Sequence, residues 1–174
     1  MTERSLSSDR QSVSAETHRR AMRLHPAGVT IITLDGADGP VGFTASSPSS
    51  LSSEPALVSF NVGISSSSLA AVLDARTAVI HLLGESDRHL ALRFSGPATQ
   101  RFADHSLWTR AETGEPLLHG GRARLRVALD RLVPAGDHVL VIARLLDAWF
   151  DDDEPSDPLV VVDGGLWAVP TARD

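Results

Sequence analysis

The chain has 174 residues, 42% of them apolar, which suits one domain with a real core, and its formal net charge is −6. It has no cysteine, lysine or tyrosine, and all 16 of its basic residues are arginine. This excludes disulfides, thiolate metal sites, cysteine nucleophiles, a lysine Schiff base, a P-loop lysine and a phenolic general acid, while the negative charge argues against nucleic acid or an anionic membrane as main partner.

Residues 1–14 (MTERSLSSDRQSVS) lack the apolar centre of a signal peptide and read as a disordered tail. No apolar run reaches bilayer-spanning length, and the absence of cysteine agrees with a cytoplasmic setting. "AETHRRAMRLH" (15–25) has helical spacing and is stopped by Pro26 and Gly28. "GVTIITL", the turn "DGADGP" and "VGFTAS" form a hairpin, and a third strand, "ALVSFNV", follows a hydroxyl-rich connection. "SSSSLAAVLDA" changes to a helical period, with serines as candidate caps. "AVIHLL" is a strand, and "SDRHLALRFS" is a helix opened by Ser86 or Asp87 and closed by Gly96-Pro97.

After a looser stretch around Trp108, "RARLRVALDRLV" alternates as a half-buried strand, "PAGD" turns, and "HVLVIARLLDAWF" runs back along it. The acidic "DDDEPSDP" reads as a solvated loop, since consecutive carboxylates point in different directions. "LVVVDGGLWAV" is a closing hairpin around Asp163-Gly164. Six or more antiparallel strands with a few short helices predict a mainly β fold, a closed or nearly closed barrel over residues 15–170.

Seven hydroxyl side chains lie between Thr44 and Ser53, where the second strand leaves the barrel and the third enters it. Short hydroxyls and the N–H groups of such a turn can hold a phosphate or a heteroaromatic edge without a formal positive charge. Ser65–Ser68 add hydroxyls at a predicted helix N-terminus. Composition alone favours a set of caps and a solvated loop.

"HPAGVTIIT", "GPVGFTASSPSSLSSEPALVSF", "SSSSLAAV", "LALRF" and "PAGDHVLVIARL" occur in one order over residues 20–165. As a set they resemble the flavin reductase-like family of FMN-binding split barrels. The resemblance implies an antiparallel, Greek-key-like split β-barrel and a homodimer. It also implies FMN or FAD as flavin, NADH or NADPH as reductant, and a separate flavin-dependent monooxygenase as possible partner. Carried over by position, Pro40, Val41, Gly42, Phe43 and Thr44 border the isoalloxazine, and Ala45, Ser46, Ser47 and Ser50 continue that segment. Asn61, Val62 and Gly63 form a second flavin-contacting turn, Ser67 and Ser68 the phosphate turn, and Arg93 and Phe94 a helix-end pair beside the flavin. His138 falls near the nicotinamide or the flavin edge and is the catalytic candidate.

Gly42 would let a flat ring approach the backbone, and Thr44 could donate to it. Hydride transfer needs no general base, so catalysis rests on stacking two rings in a reactive geometry. His138 is either a hydrogen-bonded structural residue or a pocket residue; Arg93 either complements a helix dipole or pairs with phosphate. The other histidines have no metal-ligand spacing, so no metal site is expected. Against the family pattern, Ser46 stands where Asn or Thr is common, and Pro48 replaces a larger residue. Val162 and Asp163 occupy the positions of an aromatic residue and an arginine that help place NAD(P)H. A flavin carrier, sensor or store without reductase activity, or a flavin-free ligand-binding barrel, are the alternatives.

Overall fold

The computed structural model describes residues 13–151 and 156–171. Residues 1–12 of the expected tail and residues 152–155 of the acidic segment lie outside the described residues. Ser14 belongs to structure, since it caps helix α1 (Ala15–Arg23) by accepting the Thr17 N–H at 3.1 Å on its Oγ. None of the α1 residues is buried.

Strands β1 (Ala27–Gly28), β2 (Thr30–Gly36) and β3 (Gly39–Ala45) follow, with β2 and β3 forming the expected hairpin. The hydroxyl-rich connection is largely a strand itself, β4 (Ser49–Ser53), paired with β5 (Ala56–Gly63). Helix α2 (Leu69–Asp74) and strand β6 (Thr77–Leu82) come next. Helix α3 (Arg88–Ser95) is preceded by a turn of 3-10 helix and followed by the short α4 (Ala98–Arg101). The stretch around Trp108 makes a small hairpin, β7 (Trp108–Arg110) with β8 (Pro116–Leu118). Long strands β9 (Ala123–Ala135) and β10 (His138–Phe150) turn at Gly136, and β11 (Leu159–Val162) and β12 (Gly165–Ala168) close the chain.

The principal sheet is antiparallel and runs β3-β2-β6-β9-β10-β5-β4. Its two edge strands, β3 and β4, are consecutive in sequence, joined only by Ser46-Ser47-Pro48. Extended chain covers at most about 3.5 Å per residue, so this link forces the opposite edges to within roughly 14 Å. The sheet therefore curls into a barrel with one unpaired seam. Register shifts that leave Asp130 and Leu146 outside the β9–β10 pairing help it bend.

Alternation along the strands sorts side chains to the two faces. Ile32, Leu34, Phe43, Phe60, Val127 and Val141 fill the barrel interior together with Val72 of α2. A second core outside the barrel joins Val29 and Ile31 to Leu90, Ala91 and Phe94 of α3, with Phe102 and Trp108 packed against it. β2 is thus buried on both faces, and its threonines are satisfied: Thr30 Oγ1 donates to Ala45 O at 2.8 Å and Thr33 Oγ1 to Pro116 O at 2.6 Å.

His81 on β6 is fully buried between these layers. Nε2 accepts the Leu118 N–H at 3.1 Å, which leaves Nδ1 to donate to Ile31 O at 3.2 Å and fixes one neutral tautomer. Burial pushes its pKa down to about 4.

Candidate functional site

Two clefts open at the seam. The smaller, about 450 Å³, has β3 and β5 as walls and is closed by the C-terminal end of α3, by Arg101 and by His138. The larger, about 760 Å³, lies between α1, the Ser46–Ser49 crossing and the β11–β12 hairpin. Both volumes fall within the roughly 300–1,000 Å³ of small-molecule sites. Ser46, Ser47 and Asn61 belong to both walls, so the clefts adjoin at these residues. Ser47 Oγ accepts the Asn61 N–H at 2.9 Å and ties the crossing to β5 at that junction.

β3 is an edge strand, so every second residue turns its backbone N–H and C=O toward the seam. The parity is set by Gly42, whose carbonyl accepts from Arg101 Nη1 at 2.8 Å, and it directs the Thr44 amide the same way. Phe43 and Ala45 point inward to the barrel core, while Thr44 faces α3. The Thr44 hydroxyl donates to Ala91 O at 3.0 Å. Its single proton is used by that carbonyl and not directed into the cleft.

Gly42 also has a different reason from the one expected. A Cβ at this position would lie 2.7 Å from Phe94 Cε1 and 3.0 Å from Phe102 Cζ. The packing of the second core by itself calls for glycine here.

Arg101 is the cation that sequence reasoning missed. Its Nε and Nη2 donate to Gly96 O at 3.1 and 2.9 Å, and Nη1 reaches Gly42 O and, at 3.4 Å, Ser68 Oγ. Partial burial lowers its pKa from the ordinary arginine value. The expected cation, Arg93, donates to Gln100 O at 3.1 Å and lines neither cleft. The sequence held one signal: Arg101-Phe102 repeats the Arg93-Phe94 pair just after Gly96-Pro97. Phe94 itself is 1% exposed yet touches the smaller cleft from below.

The serine turn is shifted in the same way. Ser66 lines the smaller cleft, while Ser67 is exposed off its wall and Ser68 is 1% exposed beneath it. Ser66 Oγ accepts the Ser68 N–H at 3.2 Å, so the turn is braced internally. Ser68 takes the cap position of α2 without a side-chain cap bond. Asn61, Val62 and Gly63 do line the cleft, as do Ser46 and Ser47; Pro40, Val41 and Ser50 do not.

His138 pairs with Gly63 across β10 and β5, and its Nε2 lies 3.7 Å from where a Gly63 Cβ would be. Nδ1 meets Asp137 Oδ1 at 2.7 Å, and this bond to the histidine holds the Asp137 carboxyl below its usual range. The half-exposed imidazole is therefore oriented at the mouth of the smaller cleft. Arg19, Arg23, His18 and His25 give the larger cleft a basic wall, against which Asp163 is the one carboxylate among its lining residues.

The family model described as "Flavin reductase like domain" matches residues 22–169. An NADH:FMN oxidoreductase of Rhodococcus qingshengii is 53% identical over 154 residues, covering 87% of this chain and 80% of that protein. The reductase component of a flavin-dependent trigonelline monooxygenase from Acinetobacter baylyi is 34% identical over 119 residues, 68% of this chain and 38% of that one. The crystal structure of a flavin reductase domain protein from Arthrobacter sp. FB24 superposes with a TM-score of 0.82 at 29% identity, covering 91% of this chain and 97% of that chain.

Proposed function

This chain belongs to the flavin reductase-like family, and on that premise we propose that it is an NAD(P)H:flavin oxidoreductase whose flavin is FMN. The observation that carries the reading is that the two clefts adjoin at Ser46, Ser47 and Asn61. One cleft takes the flavin, the other the dinucleotide, and the two reactive rings meet at the shared residues.

The smaller cleft fits FMN by its chemistry. A tricyclic ring would lie along the seam edge of β3, where the Thr44 amide faces the cleft, with Phe43, Ala45, Val62 and Phe94 touching the cleft from the two cores on either side of that strand. Arg101 and the Ser66 hydroxyl at the far end suit a terminal phosphate, a planar guanidinium being well matched to that group. Held there by Arg101, Ser66 and the β3 edge, a flavin would supply the redox chemistry as hydride acceptor from the nicotinamide.

The protein's share is positional. The Ser46–Ser47 crossing holds the two ligands against one another, and the Ser47–Asn61 bond keeps that crossing in register with β5. Amides aimed at the ring's polar edge favour the reduced form, which carries added negative charge. His138, oriented by Asp137, stands at the cleft mouth where it contacts the nicotinamide carboxamide or the flavin edge.

A second copy of the chain completes the assembly in this reading. α1 buries none of its residues, and its apolar Met22 and the adjoining Leu24 are 52% and 70% exposed beside the larger cleft. A flavin-dependent monooxygenase is the proposed consumer of the reduced flavin, by analogy with the Acinetobacter relative.

The test is anaerobic mixing of protein with excess FMN and either NADH or NADPH. Catalytic bleaching of the visible flavin band is expected. Flavin that binds with a perturbed spectrum but is not bleached would indicate a carrier or store, and an unperturbed spectrum a flavin-free barrel.

A further inference from the structure

Asp163 is the lone carboxylate in the wall of the larger cleft, where Arg19 and Arg23 stand one helical turn apart on α1. Its backbone is held firmly. Val162 pairs with Gly165 across a two-residue turn in which Asp163 (φ 50) and Gly164 (φ 78) both have positive φ, the pattern of a type I′ hairpin. The Asp163 N–H donates to Arg23 O at 2.7 Å, fastening the turn to the end of α1. The carboxylate makes no ion pair among the described residues.

NADH and NADPH differ only at the adenosine ribose, where one has a free 2′-hydroxyl and the other a phosphate of about two negative charges. A carboxylate carried on so firmly held a turn accepts hydrogen bonds from a ribose diol and repels a 2′-phosphate, whereas an arginine does the reverse. We propose that Asp163 selects NADH over NADPH by facing the adenosine ribose in the larger cleft. Arg19 and Arg23 then serve the pyrophosphate, which both nucleotides share, and so bring affinity without discrimination. This inference rests on the reading of the larger cleft as the dinucleotide site.

The test compares wild type, Asp163→Asn and Asp163→Arg at saturating FMN, measuring kcat/KM for NADH and for NADPH. Calorimetric titration of each protein with NAD+ and with NADP+ supplies a second readout that needs no turnover. Wild type is expected to favour NADH by about tenfold or more. Asp163→Asn should erase most of that ratio, and Asp163→Arg should invert it, with the same order in the NAD+ and NADP+ affinities. Because the electrostatic share is exposed, raising the ionic strength should narrow the wild-type ratio.

A wild type that oxidises both nucleotides equally, or variants that leave its ratio unmoved, would overturn the inference while leaving the reductase reading intact. Turnover with neither nucleotide would overturn the reductase reading, and the NAD+ and NADP+ titrations would then decide on Asp163 alone: preference for NAD+ lost in Asp163→Asn upholds it, and equal or absent binding refutes it.

Discussion

The Arg101 guanidinium donates to the Gly42 carbonyl at 2.8 Å and so fastens the end of α4 to the seam edge of β3. The same side chain lines the smaller cleft. A single arginine thus braces the barrel mouth and offers the only guanidinium in that wall, in a chain whose overall charge is −6.

Arg101→Ala should therefore weaken FMN affinity by about tenfold or more, consistent with about 1.5–3 kcal/mol for hydrogen bonds to charged groups. Riboflavin, which lacks the phosphate, should lose much less. Fluorescence titration with the two flavins measures both, and equal losses would place the phosphate elsewhere.

Gly42→Ala should destabilise the fold by about 1–3 kcal/mol, because the new methyl meets the Phe94 and Phe102 rings in a packed core. Urea denaturation would register this as a lower midpoint with an unchanged slope. Full stability would mean that the two rings have room to retreat.

Thr44→Val separates structure from binding. Loss of the hydrogen bond to Ala91 O should cost about 1 kcal/mol of stability. FMN affinity should stay within about twofold, since the hydroxyl proton is already used. A large loss of affinity in a variant of normal stability would return Thr44 to the ring.

His81 makes stability depend on pH. Its pKa is about 4 in the folded chain against an ordinary 6.5, so between those values the unfolded state binds more protons. Its contribution is complete above pH 6.5 and is lost as pH falls toward 4. The loss from this residue should reach about 2 kcal/mol by pH 5. The shifted carboxylates act lower: for Glu115, burial raises the pKa, but bonds from Thr113, Thr77 and Arg126 outweigh it and leave it below its ordinary 4.5. Urea midpoints between pH 7 and 5 should therefore fall as His81 loses its contribution, and a flat profile there would mean that His81 finds a way to protonate in place.

The long apolar-alternating segments were legible in the sequence because their faces differ, as in β9 with Ala123 and Val127 buried on one side. β4 was not legible. "SSLSS" has no apolar face, and it becomes a strand only because β5 presents an open edge for backbone pairing. The small β7–β8 hairpin escaped for a similar reason, being three residues on each side.

At the site, the segments that form the cleft walls were readable by resemblance, and Ser46, Ser47, Asn61, Val62, Gly63 and His138 do converge on one cleft. The cleft lining differs from the expected residues by one or two positions in the serine run and by eight residues, from α3 to α4, for the arginine. Ser66 lines the smaller cleft where Ser67 and Ser68 were expected, and Arg101 lines it where Arg93 was expected. Which serine of a run faces a cleft depends on the turn's internal bonds, and which arginine returns to β3 depends on how α4 folds back after Gly96-Pro97. Neither is encoded in periodicity.

The most direct measurement is a crystal structure of the chain with FMN. The isoalloxazine is expected in the smaller cleft beside Ser46, Ser47 and Asn61, with the phosphate within hydrogen-bonding distance of Arg101 and Ser66. Flavin bound outside the seam, or a phosphate directed away from Arg101, would contradict it.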